Sequence, residues 1–457
     1  MRIKIKIPVF SIGLVLVTTV ALVIIAAVQM QSALIEEAQN KLNLSRVAKS
    51  LEIENYFSAI DDNLFLTASN PTTAGAVTDL MDAWLDLGEN QKETLQGLYI
   101  DNNPYGASGR HRLTAAEDES YYSSVHAVFH PWFRSLAEAR GLYDVFLFDL
   151  EGNLIYSVYK ERDFATNFLT GEWRNSSLGK SYRAVIQSQD PAFVSFGDFA
   201  PYGPSNDAPA SFIARGVFDV EGTKIGVLAY QMPIEQLNTT MTQRTGLGET
   251  GETYLVGPDR LMRTNSRFDQ ESAVLRLRAE TDSVLRALKG EANVASIENY
   301  RGSKVISSFQ PIEFRGVRWA LIAEFSEEEL NAPIQQKIGI MIFASFGVIV
   351  LLGGIGFIVG ARLATPISRI AEVAGSLASG NLNTSVPYNN NTDEVGELAT
   401  AIRKFRDSVT EANDLRAKSE RAERQRQEAE AKAKAEELER EAERERELVE
   451  NEQRAAE

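Results

Sequence analysis

The stretch IGIMIFASFGVIVLLGGIGFIV (338–359) holds no charged residue and no proline, and it gives way to Ala361-Arg362 ahead of Pro366. A helix that crosses a bilayer needs about 20 apolar residues in a row. The stretch therefore predicts a transmembrane helix over 338–360. A second run, Val9–Val28, follows Arg2, Lys4 and Lys6. The apolar part of a cleaved signal peptide spans only about 7–15 residues, so residues 1–30 read as a cytoplasmic start and an uncleaved first span. Basic residues collect on the cytoplasmic side. Arg2, Lys4 and Lys6 before the first span and Arg362 and Arg369 after the second place both ends there. Residues 31–337 are then expected in the periplasm, in a two-span protein of a bacterial inner membrane.

The composition narrows the chemistry. The 457 residues include no cysteine, which excludes disulfides, cysteine-bound zinc, iron–sulfur clusters and a thiol nucleophile. The net charge of -16 disfavours nucleic acid, whose phosphates need clustered Lys and Arg. The three histidines, His111, His126 and His130, all precede the first strand-like segment. None lies in the cytoplasmic part, so no phosphoacceptor histidine is available there. His126 and His130 have the i, i+4 spacing of a metal pair. His130 abuts Pro131, however, and Glu138 is the one acidic neighbour in view, so both read as structural. Gly246-Leu-Gly248-Glu-Thr-Gly251 matches GxGxxG, but a dinucleotide site needs a strand before it and a helix after it. Here the order is inverted, and the glycines read as a turn. No P-loop, Ser/His/Asp set or Gly-Gly-acidic cyclase motif is present. The reading is a protein that is not an enzyme and carries no cofactor and no metal.

Between the spans the pattern changes twice. Leu34, Ala38, Leu42, Ile53, Phe57, Ile60 and Leu64 keep a helical face up to Asn70-Pro71, which predicts a stalk helix over 31–70. Residues 121–140 are helical in pattern, with a kink or split expected at Pro131. From Tyr143 the period becomes that of strands: 143–149 and 154–159 around the turn Leu150-Glu-Gly-Asn153, a short helix near 182–187, then strands at 192–199, 211–219 and 224–231. That is the strand order of a PAS-like sheet. A smaller copy follows: a helix over 232–244, a hairpin 253–257/261–265 around Pro258-Asp259, a helix over 280–289, and strands 294–300, 304–311 and 317–325. A short acidic helix, 327–330, leads to the second span. The distal module is placed at 71–231 and the proximal one at 232–333.

Three stretches carry a resemblance: Tyr-Asp-Val-Phe-Leu-Phe-Asp-Leu-Glu-Gly-Asn (143–153), Lys-Glu-Arg-Asp-Phe-Ala-Thr-Asn (160–167) and Gly-Glu-Thr-Gly-Glu-Thr-Tyr-Leu-Val-Gly (248–257). With them the segment between the spans resembles the double Cache (dCache) ectodomain of bacterial methyl-accepting chemotaxis receptors. From Leu363 the chain resembles a HAMP linker, over 361–412. Pro366 starts the first helix, with Ile367, Ile370, Ala374 and Leu377 at 3-4-3 spacing. Leu382 and Val386 match connector anchors, and Glu394 and Gly396 match the acidic-x-Gly start of the second helix. These five, Pro366, Leu382, Val386, Glu394 and Gly396, are the expected signal relay. Such seams bury only against partners, which implies a parallel four-helix bundle made by a homodimer. Residues 413–457 read as a charged helix or coiled coil, with no signalling hairpin after it in this sequence.

Small-molecule pockets join apolar walls to a few convergent polar groups. Between Tyr156 and Arg215 the sequence offers Tyr156, Lys160, Trp173, Arg174, Asp198, Tyr202 and Arg215. In amino-acid-binding dCache receptors an Arg/Trp pair before the third strand and an Asp after it hold the ligand. Trp173-Arg174 and Asp198 resemble that arrangement, although the usual Arg-x-Trp-Tyr order is absent. The bland alternative is aromatic core and solvated charge. The fold class that results is an α+β membrane protein with a stalk helix, two PAS-like antiparallel-sheet modules, two spans, HAMP and a charged C-terminal helix. The expected function is a transmembrane sensory receptor that binds a small extracytoplasmic ligand (an amino acid, organic acid or amine) and relays the change through HAMP to cytoplasmic signalling partners in chemotaxis. The alternatives are the sensor half of a transmembrane cyclase or kinase, and a non-signalling envelope scaffold.

Overall fold

A computed structural model describes residues 3–243 and 247–454. Arg2 and Gly246, both used above, lie outside the described residues. The chain divides into two compact units, Gln29–Lys337 and the pair Met1–Val28 with Ile338–Glu457.

The first unit is built on α1 (Ile3–Ala68), whose later turns form its stalk. Asn70 ends α1 and caps α2 (Pro71–Asp86), its side chain accepting from the Thr72 amide. After α3 (Gln91–Gln96) comes α4 (Tyr121–Arg140), which runs unbroken through Pro131 and stops at left-handed Gly141. The expected split at Pro131 is absent. A proline removes one amide bond from a helix, and here the buried residues Val125, His130, Phe133 and Ala137 hold both halves on one packed face.

The distal sheet comprises β1 (Asp144–Phe148), β2 (Leu154–Ser157), β3 (Val194–Tyr202), β4 (Ala208–Phe218) and β5 (Lys224–Gln231), with α5 (Ser177–Gln187) between β2 and β3. All pairs are antiparallel, in the order β2-β1-β5-β4-β3. One face, with Val145, Leu147, Ile213, Leu228 and Tyr230, packs with Ile53, Phe57 and Leu64 of α1, with α2 and with α4. The other, with Phe146, Phe148, Phe212 and Ala229, is covered by Phe168, Trp173, Leu178 and Tyr182.

The proximal module follows α6 (Ile234–Thr242). Its strands β6 (Glu252–Val256), β7 (Asn293–Glu298), β8 (Lys304–Phe314) and β9 (Val317–Ser326) are ordered β6-β9-β8-β7, with α7 (Asp282–Leu288) packed on them. The expected strand 261–265 does not form as a regular element. Only single bridges occur there, Val256↔Met262 and Leu261↔Arg278: Arg263 donates its amide to the Leu255 carbonyl, but the Leu255 amide goes to the Thr264 hydroxyl at 3.0 Å instead of to a backbone carbonyl.

The stalk is pinned to β8. Arg46 donates to Ser308 Oγ at 2.9 Å and to Gln310, and Phe57 stacks on Phe314 at 4.4 Å.

One helix, α8 (Glu327–Ala378), contains the expected acidic helix, the second apolar run and the first HAMP helix. Pro366 lies inside it and does not start a new helix. Within the second unit, Gly353 and Gly356 meet Ile12 and Ser11 of α1, so the small residues bring the two apolar stretches together. Helix α9 (Glu394–Arg454) is the last described element. Both α1 and α8 contain segments long and apolar enough to cross a membrane.

Candidate functional site

The distal sheet sets out a row of side chains across three strands. Asp144 on β1 pairs with Gln231 on β5, which pairs with Phe212 on β4. Directly opposed residues share a face, so the three lie together. Asp144 is buried, and burial raises its pKa. Its Oδ1 accepts the amides of Val145, Val158 and Tyr159 at 2.6, 2.9 and 3.2 Å, and its Oδ2 accepts the Ser157 hydroxyl at 2.8 Å. The carboxylate thus shapes the chain leaving β2.

That loop then separates its charges. Lys160 has φ 56°, a left-handed conformation that turns its side chain back under the loop. The buried ammonium donates to the carbonyls of Ser157 at 2.7 Å and Val158 at 3.3 Å. It lies 5.0 Å from the Tyr156 ring centre and 5.6 Å from that of Tyr99. Burial lowers its pKa. Asp163 is fully buried, and Tyr202 donates its hydroxyl to Oδ2. Oδ1 has no hydrogen-bond partner among the described residues. Burial pushes the Asp163 pKa up to about 8; the Tyr202 bond opposes this, and Asp144 and Glu161 reinforce it. Glu161 accepts the hydroxyls of Tyr143 at 3.0 Å and of Ser205.

A cleft of about 1030 Å³ opens beside these groups, and Tyr143, Glu161, Pro204, Pro209, Gln231 and Asn238 are among its walls. Gln231 is 3% exposed, and its Oε1 has no partner among the described residues.

The seven residues expected at a ligand site fall in five places. Trp173 and Tyr202 come together, their ring centres 6.5 Å apart, with Trp173 so close over Gly203 that any Cβ there would strike the indole. Tyr156 and Lys160 lie together on the opposite, helix-facing side, where the Tyr156 hydroxyl meets His130 Nδ1 at 2.7 Å. Arg174 is exposed. Arg215 stacks on Phe65, 4.7 Å from the ring centre. Asp198 reaches the proximal module: it receives Arg263 Nε and Nη2 at 3.0 and 2.8 Å and Trp319 Nε1 at 3.1 Å. Asp163, Glu161 and Gln231 were not singled out from the sequence. The first two sit in the quoted stretch 160–167, where nothing in spacing sets them apart.

His126 and His130 are core residues. Burial holds His126 well below the ordinary histidine range and His130 down to about 2, with Lys160 adding to both. Among the described residues no group of three or more His, Asp or Glu could hold a metal ion.

In the proximal module the 248–251 turn receives a carboxylate. Glu329, in the first turn of α8, accepts the amides of Glu249 at 2.9 Å and Thr250 at 2.8 Å and the Thr250 hydroxyl. Gly248 has φ 67°, and a Cβ there would collide with the Glu329 carboxylate. In the second unit Ile370, Val386, Val395 and Ala399 form a small core. Leu382 is half-buried, Glu394 opens α9 as an exposed residue, and buried Gly396 donates its amide to Asp393 Oδ1 at 3.1 Å.

Comparison with known proteins fits this geometry. The Cache domain model dCache_1 matches residues 26–334, and the HAMP domain model matches 358–411. The chain is 24% identical over 324 residues to the probable chemoreceptor y4sI of Sinorhizobium fredii, covering 69% of this chain and 40% of that protein. It is 30% identical over 98 residues to the transducer protein BasT of Halobacterium salinarum, covering 21% of this chain and 11% of BasT. The chain thus spans less than half the length of either relative. Among solved structures it is similar to the ligand-binding domain of Pseudomonas fluorescens chemoreceptor CtaA in complex with L-isoleucine (TM-score 0.37, 13% identity, 66% of this chain and 97% of that one). It is also similar to the sensor domain of the Vibrio cholerae histidine kinase DctB (TM-score 0.36, 14% identity, 64% and 98%). The chain belongs to the Cache domain family, as a chemoreceptor-like sensor that carries a HAMP domain and has two helices long and apolar enough to cross a membrane.

Proposed function

We propose that this receptor works as a homodimer in chemotaxis signalling, with residues 31–337 in the periplasm. A small molecule enters the distal module. The change it makes passes through the Asp198–Arg263 contact to the proximal module, and from there to α8 and HAMP. One observation carries the relay: the Glu329 carboxylate, held by two amides and a hydroxyl of the 248–251 turn, fastens the proximal module to the first turn of the helix that contains the second span. A ligand biases such a chain only if it binds one of two states more tightly. Similarity to the chemoreceptor y4sI supports chemotaxis over other outputs.

The test joins the full chain, at α9, to a complete chemoreceptor signalling hairpin and follows its coupled kinase in membrane vesicles. A compound that raises the receptor's thermal midpoint should change kinase activity. Glu329→Gln should keep the thermal shift and cut the kinase response at least fivefold. A full response in that variant would refute the relay, and stabilising compounds without any kinase response would refute the signalling reading.

A further inference from the structure

We propose that Glu252 and Glu324, two buried carboxyls of the proximal module, form a proton switch on the relay. With one proton on the pair, the ends of β6 and β9 stay closed around the 248–251 turn; loss of that proton loosens the turn's hold on Glu329. The switch regulates the Glu329 relay proposed above and rests on that reading.

Glu252 on β6 is the register partner of Glu324 on β9, and Glu324 is that of Ser307 on β8. Opposed residues on paired strands share a face about 4.5–5.5 Å apart, and like charges placed there repel. Glu252 is 1% exposed and Glu324 0%, so water screens neither. Farther along the strands the same face is made of Tyr254, Ile322 and Phe309. One charge in such a row is tolerable, and two are costly.

The surroundings compensate one charge. Glu252 accepts the hydroxyls of Tyr300 and Ser266, each at 2.8 Å, and Arg301 Nη2 lies 3.6 Å from its Oε1. Arg267 stands behind it, donating to the carbonyls of Gly251 and Glu249. Glu324 is held by two neutral donors, the Asn299 amide at 2.7 Å and the Tyr254 hydroxyl at 3.0 Å. Helix α7 packs on the same sheet, and its Asp282 and Arg286 pair with each other at 3.2 Å. Glu324 is therefore the carboxyl that keeps the proton. Burial, with Glu252 adding, pushes its pKa up to about 7, against the bonds from Asn299 and Tyr254 and the charge of Arg301. Burial raises Glu252 as well, opposed by Tyr300, Ser266, Arg301 and Arg267. Ser307, next in the row, is buried with its hydroxyl unpaired among the described residues, so the row holds an unused acceptor for that proton.

The pair sits where strand opening reaches the relay. Glu252 directly follows the 248–251 turn, and β9 ends at Ser326, whose amide donates to Thr250 Oγ1 at 3.1 Å. Thr250 in turn holds Glu329 by its amide. In an opened, hydrated state Glu324 returns to the ordinary glutamate value of about 4.3. The closed state thus binds the proton more tightly. Its advantage is full below about pH 4 and is lost as pH rises through 7.

The experiment measures amide hydrogen exchange of the full chain in lipid nanodiscs at pH 6 and 8, each rate divided by the intrinsic rate at that pH. Residues 250–256 and 320–330 should open about tenfold more at pH 8, the change expected for one proton released across a pKa near 7. Glu324→Gln should abolish that step. Glu252→Gln, which removes the opposing charge, should move its midpoint to lower pH, and it reports even if the Glu324 variant unfolds. Asp163→Asn, which removes the raised acid of the distal module, should leave the step in place. In the hairpin fusion, the kinase response to a stabilising compound should fall severalfold from pH 6 to 8 and stay level in Glu324→Gln, whose identical hairpin and kinase cancel their own pH dependence. Exchange in these strands that ignores pH overturns the switch. So does a step that survives in Glu324→Gln, or a midpoint unmoved in Glu252→Gln. An exchange step with a kinase response that ignores pH overturns the regulation and leaves the receptor reading standing. A kinase that answers no stabilising compound at either pH refutes the receptor reading, and the proton switch is then judged by exchange alone.

Discussion

Arg263 joins the two modules through side chains that are 65 residues apart in sequence. Its guanidinium is 2% exposed and forks Asp198, while Nη1 reaches Asp259 at 2.9 Å. Removing one partner of a well-buried pair leaves a charge without compensation. Arg263→Met should therefore lower stability by about 2–4 kcal/mol, measured by urea unfolding of the full chain in detergent. Asp198→Asn, which keeps an acceptor for Trp319, should cost less. The candidate site was only partly legible at this scale. Trp173 and Tyr202 stand out as aromatics within one segment, and the structure does bring them together. Asp198 stands out just as clearly, yet its partners come from another module, and a contact of that range leaves no local trace. Asp163 is inconspicuous in sequence, because what sets it apart is burial and an oxygen left without a partner among the described residues.

At the scale of elements, α8 is the decisive one. It runs unbroken from Glu327 to Ala378, so Pro366 does not divide the span from HAMP. A helix turns about 100° per residue. Inserting one alanine between Val359 and Pro366 should rotate the HAMP seam out of phase and abolish the kinase response of the hairpin fusion. Inserting seven should restore most of it, because seven residues return the face to within about 20°. Equal activity in both insertions would refute rigid coupling along α8. The heptad spacing of Ile370 and Leu377 was readable in sequence because helical period is a local property. Continuity through Pro366 was not, because a proline costs a helix one hydrogen bond and a neighbouring turn of packing can outweigh it.

For the whole molecule, the apolar seam of HAMP is only half satisfied within one chain. Val395 and Ala399 are buried, while Leu398 is 43% and Phe405 55% exposed. Because the chain has no cysteine, Leu398→Cys gives a background-free probe. Oxidation in membranes should yield a disulfide-linked dimer, and a purely monomeric product would count against the four-helix bundle. Stability should also depend on pH. Burial raises Asp163 to about 8 and Glu324, helped by Glu252, to about 7. Both carboxyls hold their protons more tightly folded than unfolded, where the ordinary values are near 4. Their contribution is full below about pH 4 and is lost as pH rises through 7 to 8, at up to about 1.4 kcal/mol per pH unit for each group. The thermal midpoint should fall from pH 6 to 8.5, and Asp163→Asn with Glu324→Gln should flatten that slope.

The sequence by itself determined the two spans, the repeated strand order, the HAMP signature and so the kind of molecule this is. Each of these rests on a local period or a short motif, and such patterns survive without knowledge of the fold. Tertiary structure alone decided which polar groups meet. It gave Asp198 to Arg263, turned Lys160 away from the cleft, put Glu329 into the 248–251 turn and left Asp163 and Gln231 each with an oxygen unpaired among the described residues. Those outcomes depend on burial and on contacts between distant segments, and neither has a period that a linear reading can detect.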